Sequence, residues 1–217
     1  MLIGERMTRP VITVRPDTPI QEALQLMRTE HIRRAPVVDD HGRLVGIVSE
    51  RDLLHASPSE ATSLSIWEVH YLLSKITVDR IMARDVISVT EDTPIEEAAR
   101  IMADNKIGGM PVLRGPEVVG IVTETDLFKA FLELLGARES GLRLSALVAD
   151  QPGELAKLTS AIYKAGGNIL SLGTFLGEST ENRMVTAKIV GLDQAALKKT
   201  IEPLVERIVD LRMTKAA

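Results

Sequence analysis

The sequence has no cysteine and few aromatic side chains. Of its 217 residues none is Cys, and 3% are Phe, Trp or Tyr. Without Cys the chain has no disulfide framework, no thiolate metal site and no cysteine nucleophile. The formal net charge of −4 also argues against a nucleic-acid-binding protein, because such proteins present a basic face and stack bases on aromatic rings.

Long apolar runs are missing as well. No stretch approaches the roughly 18 apolar residues of a membrane span. The opening MLIGERMTRP is interrupted by charge and proline where a signal peptide has its apolar core. Hydrophobic residues make up 45% and charged residues 26%, as in an ordinary globular protein. We therefore predict a cytoplasmic protein without a membrane partner.

Motifs of the common enzyme classes are absent too. The sequence has no phosphate loop, no Gly-x-Gly-x-x-Gly, no His-Glu-x-x-His and no Gly-x-Ser-x-Gly. None of its His residues has a His partner four positions away, and Asp39-Asp40 suits a hairpin turn for backbone reasons. We predict no catalytic residue, no catalytic cofactor and no metal site, so an enzyme of small-molecule metabolism is the weaker hypothesis.

What the chain does contain is a repeat. A shift of 75 residues lays VITVRPDTPIQEALQLM on VISVTEDTPIEEAARIM, and LVGIVSERDLL then matches VVGIVTETDLF after one deletion. Each copy reads as strand, helix, strand, strand, helix. Thr18 and Thr93, each followed by Pro, are predicted N-caps of the first helices. The hairpins are predicted to turn at 40–42 and 114–116.

Each copy ends in a hydroxyl residue followed three positions later by an aspartate. These are Ser49 and Asp52 in the first copy, and Thr123 and Asp126 in the second. At a helix N-terminus the free N–H groups and the dipole favour an anion such as phosphate. The Asp could accept hydrogen bonds from a sugar diol, and the hydroxyl could donate to phosphate. The alternative is a capping box that needs no ligand.

Together these motifs resemble the tandem CBS-domain pair (Bateman module) over residues 1–136. The DTPI helix start, the apolar-Pro-Val strand and Gly-x-x-[Ser/Thr]-x-x-Asp all occur twice. The resemblance implies two units packed by their sheets, with AMP, ADP, ATP or a related adenosyl ligand in two clefts. It places Asp52 and Asp126 on ribose and Ser49 and Thr123 on phosphate. The base would be framed by Thr13, Ala35, Pro36, Val37, Ser88, Met110, Pro111 and Val112.

The two predicted clefts differ in charge. The first copy has Arg33, Arg34 and Arg51, and the matching positions of the second are Gly108, Gly109 and Thr125. Because Arg presents a forked donor to phosphate, we predict that the first cleft accepts more phosphates. Two alternatives stay open: these Arg side chains are merely exposed at a strand entry, or they reach across to the other cleft.

The stretch that joins the copies, 55–82, carries an apolar stripe with the only Trp of the chain. Core packing or a subunit interface is the favoured interpretation, and base stacking by Trp67 is a minor alternative. The members of the stripe are Leu64, Trp67, Tyr71 and Leu72.

The third segment, 142–217, reads as strand, helix, strand, strand, helix, strand, which predicts an antiparallel sheet with two helices on one face. It resembles an ACT domain through Asp150-x-Pro152-Gly153-x-Leu155 and GGNI at 166–169. The resemblance implies that Asp150, Gly153 and Asn168 hold an amino acid at a dimer interface. The alternative is a dimerisation surface that binds nothing.

We therefore predict an α+β protein in which two CBS units, each strand-helix-strand-strand-helix, pack as a pair beside a βαββαβ ferredoxin-like ACT domain. The predicted limits are 1–78, with the joining helix, 79–136 and 142–217. The predicted function is regulatory sensing of an adenine nucleotide, and of an amino acid or other small effector, in a homodimer or larger assembly. The protein that it regulates stays unknown. The chain is similar to acetoin-utilisation regulators of the AcuB type. The alternative is a purely structural oligomerisation module with empty clefts.

Overall fold

The computed structural model describes residues 1–56 and 75–216. The chain forms two compact units, Met1–Leu127 and Phe128–Ala217. Trp67 and the other members of the predicted apolar stripe lie outside the described residues, so the interpretation of that stripe stays a prediction.

The first unit contains both copies of the repeat. The second copy has the predicted order of elements, and the first copy has it except for its leading strand. Short strands pair as antiparallel hairpins in both copies, and the second copy adds a parallel strand at its edge. The matching strand of the first copy is a single bridge between Val14 and Val37. The elements are α1 (Ile20–Thr29), β1 (Arg34–Val38), β2 (Leu44–Ser49), α2 (Glu50–His55), β3 (Val89–Thr90), α3 (Ile95–Asn105), β4 (Gly109–Arg114), β5 (Glu117–Thr123) and α4 (Glu124–Leu134).

The predicted N-caps of α1 and α3 are wrong. Pro19 and Pro94 stand at the cap positions, without a side-chain cap bond. The hydroxyl of Thr18 instead accepts a hydrogen bond from the Arg15 N–H, at 3.1 Å. A Thr hydroxyl can close the turn that precedes a helix as readily as cap the helix, and sequence spacing does not separate the two.

The two repeats exchange their leading segments. Ile3 and Met7 pack into the core of the second repeat, and the Thr8 N–H donates to the Ile121 carbonyl at 2.8 Å. In the same way Val78 and Met82 pack into the core of the first repeat. Each repeat therefore depends on a stretch of chain that precedes the other one, and the two repeats fold as one unit.

The second unit has the predicted βαββαβ order. Its four antiparallel strands lie side by side in the order 168–176, 182–190, 141–149 and 207–214. Both helices pack on one face through Leu158, Ile162, Leu197 and Ile201. Asp193 caps the last helix by accepting from the Ala196 N–H at 2.7 Å, as its position before the helix indicates. The elements are β6 (Gly141–Ala149), α5 (Glu154–Lys164), β7 (Asn168–Leu176), β8 (Asn182–Val190), α6 (Gln194–Ile201) and β9 (Arg207–Thr214).

Candidate functional site

Ser49 and Asp52 form a reciprocal capping box at the start of α2. The carboxylate of Asp52 accepts from the Ser49 N–H at 2.9 Å and from the Ser49 hydroxyl at 2.6 Å. The Ser49 oxygen in turn faces the Asp52 N–H at 3.3 Å. The motif therefore forms the capping box that the sequence predicts as the alternative to a ligand site. It leaves the ligand interpretation open, because the same groups stand at a helix N-terminus.

Thr123 and Asp126 repeat this arrangement at the start of α4. The carboxylate of Asp126 accepts from the Thr123 N–H at 2.9 Å and from its hydroxyl at 2.8 Å. The surroundings differ, since Asp126 is 5% exposed whereas Asp52 is an exposed residue. The second carboxylate is therefore much more shielded from solvent than the first.

The strand residues predicted to frame the base are buried. Ala35 and Val37 belong to the core of the first repeat, and Met110 and Val112 belong to the core of the second. Pro36 and Pro111 are buried as well. With all six of these side chains buried, the backbone of the two strands is the part that a ligand would meet.

Thr13 and Ser88 are half-buried. Thr13 lines a cleft of about 500 Å³ together with α1 residues such as Gln25 and Thr29. Neither Ser49 nor Asp52 lines that cleft. The structure thus places Thr13 beside α1.

Arg34 points into the second repeat. The position that a Cβ atom would take on Gly108 lies 2.8 Å from Cζ of Arg34. At the neighbouring Gly109 that position lies 3.5 Å from Cδ of Arg34 and 3.3 Å from Cγ2 of Thr123. The prediction placed Arg34 at the first cleft, whereas its side chain lies beside the hydroxyl residue of the second. Arg33 and Arg51 are exposed.

In the second unit Asp150 borders a cavity of about 340 Å³, with Leu155, Thr174 and Arg183 among its lining residues. The Arg183 guanidinium donates to the Asp150 carboxylate at 2.9 Å. Gly153 begins α5 at a φ of +93°, a left-handed conformation that glycine adopts readily. The structure therefore brings Asp150 and the Gly153 turn together.

Asn168 lies at the other end of the sheet. It pairs with Val190 at the end of β8, whereas Asp150 follows Ala149, which pairs with Asn182 at the start of β8. At about 3.4 Å per residue in an antiparallel strand, the length of β8 separates the two by roughly 27 Å. Within one chain they cannot share a ligand.

A family model, described as the CBS domain, matches residues 3–59 and 78–133. This chain belongs to the CBS-domain family. A CBS domain-containing protein of Dictyostelium discoideum is 31% identical over 62% of this chain and 94% of its own length. An L-aspartate semialdehyde sulfurtransferase of Methanocaldococcus jannaschii is 33% identical over 60% of this chain, and the chain spans only 23% of that enzyme.

Solved structures resemble the CBS pair as well. The CBS domain pair of protein MJ0100, in complex with 5′-methylthioadenosine and S-adenosyl-L-methionine, is 32% identical, with a TM-score of 0.51 over 60% of this chain and 95% of that one. A proposed acetoin utilization protein (AcuB) from Vibrio cholerae is 32% identical, with a TM-score of 0.52 over 63% of this chain and 93% of that one.

Across residues 1–56 and 75–216 no cluster of three or more His, Cys, Asp or Glu side chains could hold a metal ion. In the same part of the chain no helix is long and apolar enough to cross a membrane. Sequence reasoning missed the packing of the CBS repeats against each other's leading segments. The sequence relates Met7 to Met82 through the repeat, but this relation does not indicate which core each methionine enters.

Proposed function

We propose that the CBS pair is a regulatory sensor of an adenine nucleotide or a related adenosyl compound. The observation that carries this proposal is the hydroxyl-aspartate box, present at two helix N-termini of one CBS pair. A CBS pair that is 32% identical is in complex with two adenosyl ligands. Asp52 and Asp126 would accept from ribose hydroxyls, and Ser49 and Thr123 would donate to phosphate.

The box can serve a ligand without being rebuilt. A carboxylate has about four lone-pair sites, and the two bonds that Ser49 donates to Asp52 both go to Oδ2. A hydroxyl proton rotates freely, so Ser49 or Thr123 can turn its donor from the Asp to a phosphate at the helix N-terminus. The backbone beside Pro36 and Pro111 would meet the edge of the base.

The placement of Arg34 supports the second cleft as the one for charged ligands. Its guanidinium lies at the repeat that contains Thr123 and Asp126, and Arg binds phosphate through several parallel donors. This reverses the sequence-based assignment of the greater charge to the first cleft. In the first repeat, Arg51 lies at an exposed position of α2.

Titration calorimetry with ATP, AMP and adenosine tests the proposal. We expect binding to the unaltered protein, and a loss of about 1–3 kcal/mol of binding free energy in Asp126→Ala, the range for an acceptor removed from a buried hydrogen bond. Asp52→Ala reports the first cleft in the same way. If none of the three compounds binds, the proposal is wrong and the alternative, an oligomerisation module with empty clefts, is favoured.

Regulation would arise through a population shift. A ligand that binds one cleft geometry more tightly stabilises that geometry, and the size of the response is limited by the difference in affinity. The resemblance to AcuB-type regulators supports a regulatory role in a cytoplasmic protein. Its partner protein stays unidentified.

For the second unit we propose an ACT-type effector site for an amino acid. The Asp150 cavity and the left-handed Gly153 turn support it. Since Asn168 lies at the opposite end of the sheet from Asp150, a site that uses both residues needs two copies of the chain. We therefore propose a homodimer in which one copy supplies Asp150 and Gly153 and the other supplies Asn168.

A further inference from the structure

Two opposite charges flank Gly108 at the start of α4. The position that a Cβ atom would take on this glycine lies 2.8 Å from Cζ of Arg34 and 2.9 Å from Oε2 of Glu124. The Glu124 N–H donates to the Gly108 carbonyl at 3.2 Å, so the first residue of α4 is held beside this glycine. The missing side chain of Gly108 provides the space in which a cation from the first repeat and an anion from the second approach each other.

Neither Arg34 nor Glu124 forms an ion pair with another residue that the structure describes. Within the ranges 1–56 and 75–216 the Arg34 guanidinium makes no hydrogen bond or ion pair, and it is half-buried. Glu124 likewise makes no ion pair within those ranges, and it is exposed. No hydrogen bond joins the two side chains, so Glu124 does not hold Arg34 in place through one.

We propose that Glu124 sets the phosphate charge that the second cleft accepts, in opposition to Arg34. This inference rests on the proposed nucleotide function of that cleft. A phosphate at the N-terminus of α4 is attracted by Arg34 and by the helix dipole, and Glu124 in the first turn repels it. The repulsion grows with the charge of the ligand, so it penalises ATP more than AMP and leaves adenosine unaffected.

The first repeat provides a matched comparison. Glu50 follows Ser49 as Glu124 follows Thr123, and its N–H donates to the Arg33 carbonyl at 2.9 Å. The residue that matches Arg34 in the second repeat is Gly109, which has no side chain to send across. Glu50→Gln therefore removes one negative charge at the equivalent helix position without an opposed cross-repeat arginine.

The experiment measures calorimetric binding of ATP, AMP and adenosine in an Asp52→Ala background, so that binding reports the second cleft. We expect Glu124→Gln to tighten ATP binding by about 5-fold to 30-fold, as removal of one nearby charge predicts. AMP should gain less and adenosine should change less than about twofold. Arg34→Gln should weaken ATP binding and spare adenosine, and Glu50→Gln should leave ATP binding in this cleft unchanged.

Three results would overturn the inference while the proposed function stands. They are unchanged ATP binding in Glu124→Gln, an equal gain in Glu50→Gln, and a gain for adenosine as large as that for ATP. If none of ATP, AMP and adenosine binds the unaltered protein, the proposed function fails and this inference fails with it. Thermal unfolding of each variant checks that the substitutions at the exposed Glu124 and at the half-buried Arg34 and Glu50 leave the fold intact.

Discussion

The thioether of Met82 lies against Gly46, where the position of a Cβ atom would be 2.5 Å from the sulfur. The second repeat has the same relationship between Met7 and Gly120, with Cγ of Met7 3.0 Å from the corresponding position. Glycine in the Gly-Ile-Val strand of each repeat is therefore required by a methionine from the exchanged leading segment.

We predict that Gly46→Ala destabilises the CBS pair by about 1–3 kcal/mol, the usual cost of extra volume in a packed core. The added methyl group would meet the Met82 side chain and, at 3.1 Å, the Ala83 carbonyl oxygen. Urea denaturation measures the change. The double variant Gly46→Ala with Met82→Ala should lose less unfolding free energy than the sum of the losses of the two single variants, because without the Met82 side chain the added methyl group has room. Strict additivity of the two changes would contradict this packing.

A second prediction separates the structural from the ligand role of the aspartates. Asp126→Ala should lower the free energy of unfolding by about 1–3 kcal/mol, because it leaves the half-buried Thr123 donors without their buried acceptor. Asp52→Ala should cost about 0.5–1 kcal/mol, as for an exposed helix cap. Chemical denaturation without ligand checks both values. Equal losses at the two positions would show that burial of Asp126 does not matter.

The order of elements was predictable because it depends on local signals. Apolar spacing and the Gly residues of the turns stand next to the elements that they define, as at Gly42 and Gly115, both with positive φ. The exchange of Met7 and Met82 was not predictable, because a buried methionine does not indicate which core it enters. The crossing of Arg34 could be named from the sequence only as an alternative, since it depends on the space at Gly108.

A third prediction concerns the turn of the first hairpin. The Arg43 guanidinium donates to the Asp39 carboxylate at 2.8 Å, and this hydrogen bond is the main reason that the pKa of Asp39 falls to about 2. A lowered folded-state pKa stabilises the protein above the unfolded value of about 3.9. That contribution is lost as the pH falls through about 2. Carboxyl NMR of Arg43→Gln should show a higher pKa for Asp39, and an unchanged midpoint would contradict this cause.

The last prediction tests whether two copies build the effector site of the second unit. A pool of the twenty common amino acids, followed by single compounds, is screened by thermal shift on the unaltered protein. Asp150→Ala and Asn168→Ala should each abolish the shift, since every site in either homodimer lacks one residue. Unfolding the two variants and refolding them together should restore binding, because a mixed dimer pairs the intact Asp150 of one copy with the intact Asn168 of the other.

The control mixes the two folded variants without refolding, since mixed dimers then form only if subunits exchange between homodimers. If one variant alone keeps full binding, or the refolded mixture binds nothing, the shared site is excluded, and a monomer by light scattering removes its basis altogether.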